Sequence, residues 1–111
     1  MFKDAAGHED LTEAIIACGI RVHEVWGPGL LESVYKGHDL QCEFCPDLIV
    51  NGIVVIELKA IEKLAPVHKA QLITYLKLTG LPVGLLMNFN VALLKYGTHR
   101  VVRPDLLTRT E

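Results

Sequence analysis

The chain has 111 residues, 50% of them hydrophobic and 22% charged, which is enough for one domain with its own hydrophobic core. No apolar run approaches the roughly 18 residues of a membrane span, and the acidic N-terminus lacks the apolar segment of a signal peptide, so a cytoplasmic location is expected. The net charge of −2 gives no overall electrostatic case for binding nucleic acid.

Charge is distributed unevenly along the chain. Residues 1–62 carry 4 Lys or Arg against 11 Asp or Glu, whereas residues 63–111 carry 7 against 2. A basic C-terminal half beside an acidic cluster suits an anionic ligand that is bound through a metal ion and flanking cations. The same asymmetry also suits self-association, so it does not choose between these interpretations.

The N-terminal part predicts a tail over residues 1–9 and then two helices. Asp10-Leu-Thr-Glu13 has the pattern of a capping box and predicts where the first helix begins. Gly27-Pro28-Gly29 ends that helix, and Leu30–Tyr35 predicts the start of a second one. Apolar residues at steps of three and four predict the buried face of the first helix: Leu11, Ala14, Ile15, Cys18, Val22, Val25 and Trp26.

The stretch from Asp47 to Lys59 (D-L-I-V-N-G-I-V-V-I-E-L-K) predicts a β-hairpin. Two apolar, β-branched runs flank Asn51-Gly52, which is the strongest short-range signal for a two-residue turn. Because side chains alternate along a strand, Glu57 and Lys59 leave the same face. The hairpin brings Asp47 back alongside them. Two carboxylates and a lysine at the rim of a sheet can hold a divalent cation and a phosphate oxygen together.

A further helix is predicted after the hairpin. Pro66 is well placed at its first position, and the helix is expected to run to about Leu78 and to end at Gly80. Gln71 and Tyr75 lie four residues apart, so they share one face of this helix.

The C-terminal part predicts strands. Residues 82–88 read as a continuous apolar strand that is buried on both faces, and residues 92–95 and 99–103 predict two further short strands. The order of helices and strands indicates an α/β layer with helices packed on a mixed sheet. We expect a single domain over residues 10–104 and a frayed C-terminal tail over residues 105–111.

Several of these motifs resemble one nuclease superfamily. Pro46-Asp47 followed by Glu57-x-Lys59 has the spacing of the PD-(D/E)xK nucleases. Gln71-x-x-x-Tyr75 resembles the Q-x-x-x-Y motif on the helix after the E-x-K strand in RecB-like members. Gly29-Leu-Leu-Glu-Ser-Val-Tyr35 matches the G-x-x-E-x-x-Y signature that names one small bacterial family of the superfamily, and Gly84–Asn90 also looks like that family. The chain is identified as a member of it.

The resemblance implies an α/β fold with a PD-(D/E)xK (restriction-endonuclease-like) core, a mixed β-sheet flanked by helices. It implies metal-dependent hydrolysis of phosphodiester bonds with DNA as the partner. Asp47 and Glu57 would be ligands of Mg²⁺, with Mn²⁺ as an alternative, and the backbone carbonyl of Leu58 would be a third ligand. Glu32 would be a helix-borne acid that contacts the metal directly or through water.

The resemblance also implies a catalytic set beyond the metal ligands. Lys59 would neutralise charge that develops on the scissile phosphate, or hold the attacking water. Gln71 and Tyr75 would orient Lys59 or the nucleic-acid backbone.

The chain departs from the family between Tyr35 and Asp47. Only eleven residues separate the two, where members usually have the rest of the helix and a further strand. Tyr35 belongs both to the helix motif and to a strand motif ending V-x-Y-x-G, as an internal deletion would leave it. This leaves open whether one strand of the core is missing and whether Glu32 reaches the metal. A missing strand would expose a sheet edge, which favours a homodimer.

Three functions follow as alternatives. The first is an active nuclease, and the second is a catalytically degenerate member that acts as a nucleic-acid- or protein-binding module or an assembly module. The third is a thiol-redox or zinc protein built on Cys42-x-x-Cys45, although a second C-x-x-C is missing. The E-x-K motif also has a simpler interpretation, in which Glu57 and Lys59 form only a surface ion pair at the end of a strand.

Overall fold

The protein is seen here as a computed structural model that describes residues 2–27 and 47–109. The predicted second helix at residues 30–35, together with Glu32, Cys42 and Cys45, lies outside the described residues. In chain order the elements are β1 (Phe2–Asp4), α1 (Glu9–Trp26), β2 (Leu48–Val50), β3 (Val54–Lys59), α2 (Pro66–Thr79), β4 (Val83–Asn88), a 3₁₀ turn (Leu94–Tyr96), β5 (Thr98–Val102), a second 3₁₀ turn (Pro104–Leu106) and β6 (Leu107–Arg109).

The central element is a mixed four-stranded sheet in the order β2-β3-β4-β5. β2 and β3 form the predicted hairpin, and Asn51 and Gly52 in its turn both have positive φ, 55° and 65°. The predicted two-residue turn is one residue too short, because Val50 pairs with Val54 and the turn also includes Ile53. Two successive left-handed residues match the twist of the flanking strands, which explains the Asn-Gly pair. β3 and β4 run parallel with α2 as the crossover, and β5 returns antiparallel to β4.

The sheet separates two apolar clusters, because α1 covers one face and α2 the other. β4 is buried along its whole length, as a central strand covered on both faces should be. The cluster on the α1 face contains Ala6, Val54, Ile56, Val83, Leu85, Met87, Phe89 and Leu94. The cluster on the α2 face contains Val55, Leu72, Leu76, Leu86 and Val101.

α2 approaches the sheet closely at Gly84. A Cβ atom added there would lie 2.8 Å from Cδ1 of Leu72. The absence of a side chain in β4 therefore sets the distance between α2 and the sheet. Since α2 carries the Q-x-x-x-Y motif, this contact also sets where that motif lies relative to β3.

The start of α1 differs from the prediction. The helix begins at Glu9, its N-cap is His8 with φ 64°, and no side chain caps it. The hydroxyl of Thr12 donates to the carbonyl oxygen of Glu9 at 3.0 Å. The predicted capping box is therefore wrong, because Asp10 already lies within the first helical turn.

Of the predicted buried face of α1, only Leu11 and Ile15 pack against the sheet, and the prediction is wrong for Ala14 and Cys18, which are exposed, and for the last two turns. Val22, Val25 and Trp26 are 44%, 74% and 66% exposed. The side that packs on the sheet includes two buried polar residues, Thr12 and His23, and His23 Nε2 lies 3.0 Å from the carbonyl oxygen of Phe89. Hydrophobic periodicity selects the neighbouring stripe because it ranks these polar residues as exposed.

The C-terminal part confirms two predicted strands, β4 and β5. The expected strand at residues 92–95 is wrong, because Leu94–Tyr96 forms a 3₁₀ turn that buries Leu94 in the α1-face cluster. The chain ends also differ from the expected tails, since β1 pairs antiparallel with β6. The 10–104 domain boundary itself stays a prediction.

Candidate functional site

Two carboxylates meet at the open end of the hairpin. Leu48 pairs with Ile56, so continuing this antiparallel register by one residue sets Asp47 opposite Glu57. The backbone N–H of Leu58 donates to Oδ2 of Asp47 at 2.7 Å. In return, the backbone N–H of Asp47 donates to the carboxylate of Glu57. Each acid is therefore held in place by the backbone of the strand that carries the other.

This proximity changes the acidity of Glu57. Its pKa is raised from 4.5 to about 7, first by partial burial and second by the negative charge of Asp47. The charge of Lys59 and the hydrogen bond from the Asp47 amide act in the opposite direction and only partly offset the rise. A desolvated carboxylate beside a second one is the environment that a divalent cation relieves.

Lys59 is the last residue of β3 and leaves the same face as Glu57, on the α2 side of the sheet. Its ammonium group is close enough to lower the pKa of Glu57. Its carbonyl oxygen accepts a hydrogen bond from the backbone N–H of Phe89 at 2.8 Å. Asp47, Glu57 and Lys59 are thus brought together, each half-buried, at the C-terminal end of a central strand.

Gln71 and Tyr75 lie on α2, on the same side of the sheet. Gln71 is exposed, whereas Tyr75 is partly buried against the α2-face cluster. Within residues 47–109, no hydrogen bond joins either side chain to Lys59 or to the two acids. Their predicted roles in orienting Lys59 or the nucleic acid stay predictions.

Sequence reasoning missed Asn88. It is the last residue of β4, pairs in register with Lys59 and is only 2% exposed. Its side chain bonds both backbone groups of Ile61. The available signal was a carboxamide at the end of an otherwise apolar strand.

The comparison with protein families decides the identity of this fold. The sequence model of the PD-(D/E)XK nuclease superfamily matches residues 34–101. The chain belongs to this superfamily. The match spans the hairpin, the E-x-K motif, α2 and β4, and it begins after Glu32. Comparison with curated proteins gave no match, and comparison with solved structures gave none.

Membership in the PD-(D/E)XK superfamily agrees with the architecture. A mixed sheet between two helices, with the acids at the end of the β2–β3 hairpin, confirms the predicted α/β core. It also supports a nuclease-like function for the domain. The finer assignment to the G-x-x-E-x-x-Y family depends on residues 29–35, most of which precede the matched range.

Members of the superfamily commonly use a divalent metal, so we asked whether the described residues fit one. Within residues 2–27 and 47–109, no group of three or more His, Cys, Asp or Glu side chains could hold a metal ion. Two carboxylates are nevertheless close enough to interact electrostatically, and Mg²⁺ needs only one or two because it keeps several waters. The Leu58 carbonyl lies on the Asp47 side of β3, as its N–H does. The oxygen donors and the raised pKa of Glu57 fit a hard cation.

Proposed function

We propose that this domain is a metal-dependent deoxyribonuclease that hydrolyses phosphodiester bonds. The observation that carries the proposal is a pair of backbone hydrogen bonds, from the Leu58 amide to the Asp47 carboxylate and from the Asp47 amide to the Glu57 carboxylate. They keep the two carboxylates close although this proximity raises the pKa of Glu57. A structural ion pair would need only one acid beside Lys59, so it would not require a second carboxylate that raises the pKa of Glu57. Lysine and paired acids at one strand end are the groups that phosphodiester hydrolysis requires.

In this proposal Asp47 and Glu57 hold Mg²⁺ or Mn²⁺, and the Leu58 carbonyl is a third ligand. The bound cation supplies Lewis-acid activation of water and of the phosphate. The Lys59 ammonium stabilises negative charge that develops on the phosphate oxygens or holds the attacking water. Glu32, which lies outside the described residues, is proposed to complete the metal environment.

Gln71 and Tyr75 are proposed to orient the substrate or Lys59. Gln71 is exposed on α2, on the same side of the sheet as Glu57 and Lys59, which leaves it accessible to a nucleic-acid backbone. Membership in the G-x-x-E-x-x-Y family, with a deletion between Tyr35 and Asp47, is part of the same proposal. It is supported by the signature over residues 29–35 and by the eleven residues that separate Tyr35 from Asp47.

The nuclease proposal can be tested by cleavage of linear, branched and single-stranded DNA with Mg²⁺ or Mn²⁺. Asp47→Ala and Lys59→Ala are expected to lower kcat by about a hundredfold or more, because each removes charge stabilisation made in the transition state. Lys63→Ala, which removes an exposed lysine from the loop after β3, is the matched control. Equal activity in the wild type, Asp47→Ala and Lys59→Ala would contradict the proposal.

A second function is favoured by one observation. The two carboxylates have no third acidic, His or Cys partner within residues 2–27 and 47–109, as expected of a degenerate member that binds nucleic acid or protein without cleaving it. Tight DNA binding that is unchanged by Asp47→Ala and without cleavage would favour this alternative. Such binding should weaken as salt is raised, because phosphate contacts release counterions.

A homodimer through the sheet edge is proposed for either function. β2 is the edge strand of the described sheet, and Leu48 and Ile49 are 52% and 44% exposed. An apolar groove of about 470 Å³ lies between α1 and the hairpin, lined by Ile15, Val22, Leu48 and neighbouring side chains. Sedimentation over a range of concentrations tests this proposal, and a monomer at every concentration would contradict it.

The described residues contain no helix that is long and apolar enough to cross a membrane.

A further inference from the structure

Asn88 occupies a position where a polar side chain is costly. β4 is otherwise apolar or glycine, lies in the centre of the sheet, and places Asn88 at its C-terminal end with 2% exposure. A buried carboxamide without partners costs on the order of several kcal/mol. The contacts that Asn88 makes therefore indicate why this side chain is present.

The Asn88 carboxamide bonds the backbone of Ile61 in the way that a neighbouring strand would, beyond the last paired residues of the sheet. Its Nδ2 donates to the carbonyl oxygen of Ile61 at 2.9 Å, and the N–H of Ile61 donates to its Oδ1 at 3.1 Å. The N–H of Asn90 also donates to Oδ1, at 3.2 Å. Two backbone donors meet Oδ1, so the oxygen and nitrogen of the amide cannot be interchanged.

The main chain of Asn88 is fixed as well. Its N–H donates to the carbonyl oxygen of Gly97 at 2.8 Å. A Cβ atom on Gly97 would lie 2.3 Å from the carbonyl oxygen of Asn88, so the two backbones are in direct contact. The next amide, that of Phe89, donates to the carbonyl oxygen of Lys59. The backbone on which the carboxamide stands is thus fixed by these contacts, so the carboxamide holds Ile61 from a fixed position.

These contacts surround the C-terminal end of β3 and the first residues of the loop that follows it. Lys59 is the last rung of the ladder with β4, and residues 60–65 leave the sheet as a loop. The end of a strand frays unless its backbone groups are bonded. Phe89 holds the carbonyl of Lys59, and Asn88 holds the residue two positions later, so the backbone that follows Lys59 is fixed at two points.

We infer that Asn88 is a positioning residue that holds Lys59 in its productive place by bonding both backbone groups of Ile61. This inference rests on the proposed nuclease function, in which Lys59 acts on the phosphate. A displacement of about 1 Å in a catalytic group can lower a rate by about a hundredfold. Loss of the Asn88–Ile61 pair therefore lowers the rate of the chemical step and leaves substrate binding almost unchanged.

Asn88→Asp is the sharpest variant, because it keeps the shape of the side chain, replaces the Nδ2 donor by an acceptor that cannot bond the Ile61 carbonyl, and adds a charge. Asn90→Asp makes the same chemical change two residues later on an exposed side chain, so it controls for the added charge. We expect kcat to fall about tenfold or more in Asn88→Asp with KM changed by less than about twofold, and both to be unchanged in Asn90→Asp. Amide exchange at Ile61 should accelerate by about tenfold in Asn88→Asp alone.

A second pair of variants keeps the test valid if Asn88→Asp folds poorly. Asn88→Ala is compared with Leu76→Ala, which removes a fully buried side chain from the α2-face cluster, both assayed well below their unfolding temperatures. Only Asn88→Ala is expected to lower kcat. An equal loss in Leu76→Ala, or a wild-type kcat in both Asn88 variants, would overturn the inference while the nuclease proposal stands. An inactive wild type would overturn the nuclease proposal and this inference with it.

Discussion

The amide of Asp47 donates a hydrogen bond to the carboxylate of Glu57, although the charge of Asp47 raises the pKa of that carboxylate. The two effects come from different parts of one residue. The backbone fixes the position of the Glu57 carboxylate, and the side chain makes its ionised form costly. In the proposed metal site, a bound cation would offset the cost of the ionised form of Glu57, and pH would then control binding.

Metal affinity is expected to depend on pH through Glu57. Because the pKa of Glu57 is raised to about 7, a cation must displace a proton at lower pH. The dissociation constant for Mn²⁺ should rise about tenfold per pH unit below about 7 and level off above about 8. Calorimetric titration over this range measures it. Glu57→Gln should remove the dependence together with most of the affinity, and an affinity independent of pH in the wild type would contradict the prediction.

The stability of the metal-free protein should show the opposite trend. The folded-state pKa of Glu57 lies above its ordinary value of 4.5, so between 4.5 and about 7 the folded protein keeps a proton that the unfolded chain has lost. Its contribution to stability is therefore present below pH 4.5 and is lost as the pH rises through 7. Glu57→Gln should have a higher Tm than the wild type at about pH 8 and no advantage near pH 4, by differential scanning calorimetry.

The control for that measurement is Glu62→Gln, which makes the same change at an exposed residue five positions later. It should leave the pH dependence of Tm unchanged. Addition of Mg²⁺ should raise the Tm of the wild type at the alkaline end and not that of Glu57→Gln, because only the wild type keeps both carboxylates. A wild-type Tm that rises steadily from pH 4.5 to 7 relative to Glu57→Gln would show that the sign is wrong.

The hairpin could be predicted from the sequence because one local feature determines where the chain turns. Asn51 and Gly52 accept left-handed backbone at little cost, which places the turn between the two apolar runs. The register could not be predicted in the same way, because a two-residue turn would set Asp47 opposite Ile56. The observed pairing of Val50 with Val54 includes Ile53 in the turn and thereby sets Asp47 opposite Glu57.

The face of α1 and the role of Asn88 could not be predicted in this way. α1 has two adjacent apolar stripes, and the one that packs contains Thr12 and His23. The hydrogen-bond partner of His23, the carbonyl oxygen of Phe89, is supplied only by the tertiary structure. Asn88 acts on Ile61 across 27 residues, between segments whose adjacency follows from the parallel pairing of β3 and β4. The pairing of the chain ends is likewise a long-range contact without a local signal.

Gly84→Ala should destabilise the domain, because its Cβ would lie 2.8 Å from Leu72 Cδ1 and 3.0 Å from Leu72 Cγ. Overpacking of this kind costs about 1–3 kcal/mol. Chemical denaturation of Gly84→Ala and of the double variant with Leu72→Ala gives the coupling, and the double variant should recover part of the loss. Gly19→Ala is the comparison variant, since its Cβ would lie 2.5 Å from the flexible end of Met87 and 3.2 Å from Leu94 Cδ2 on the other face of the sheet. Losses that simply add in the double variant would contradict the assigned contact.

Gly97→Ala tests the support of Asn88 from the opposite side. Its Cβ would lie 2.3 Å from the Asn88 carbonyl oxygen, which is backbone and cannot move aside as a side chain can. The free energy of unfolding should fall by about 3 kcal/mol or more, above the loss in Gly84→Ala. If the variant folds, amide exchange at Ile61 and Phe89 should accelerate more than exchange in α2, because Asn88 shifts first. Uniform acceleration across the domain would show that the end of β4 does not act as a local support for Lys59.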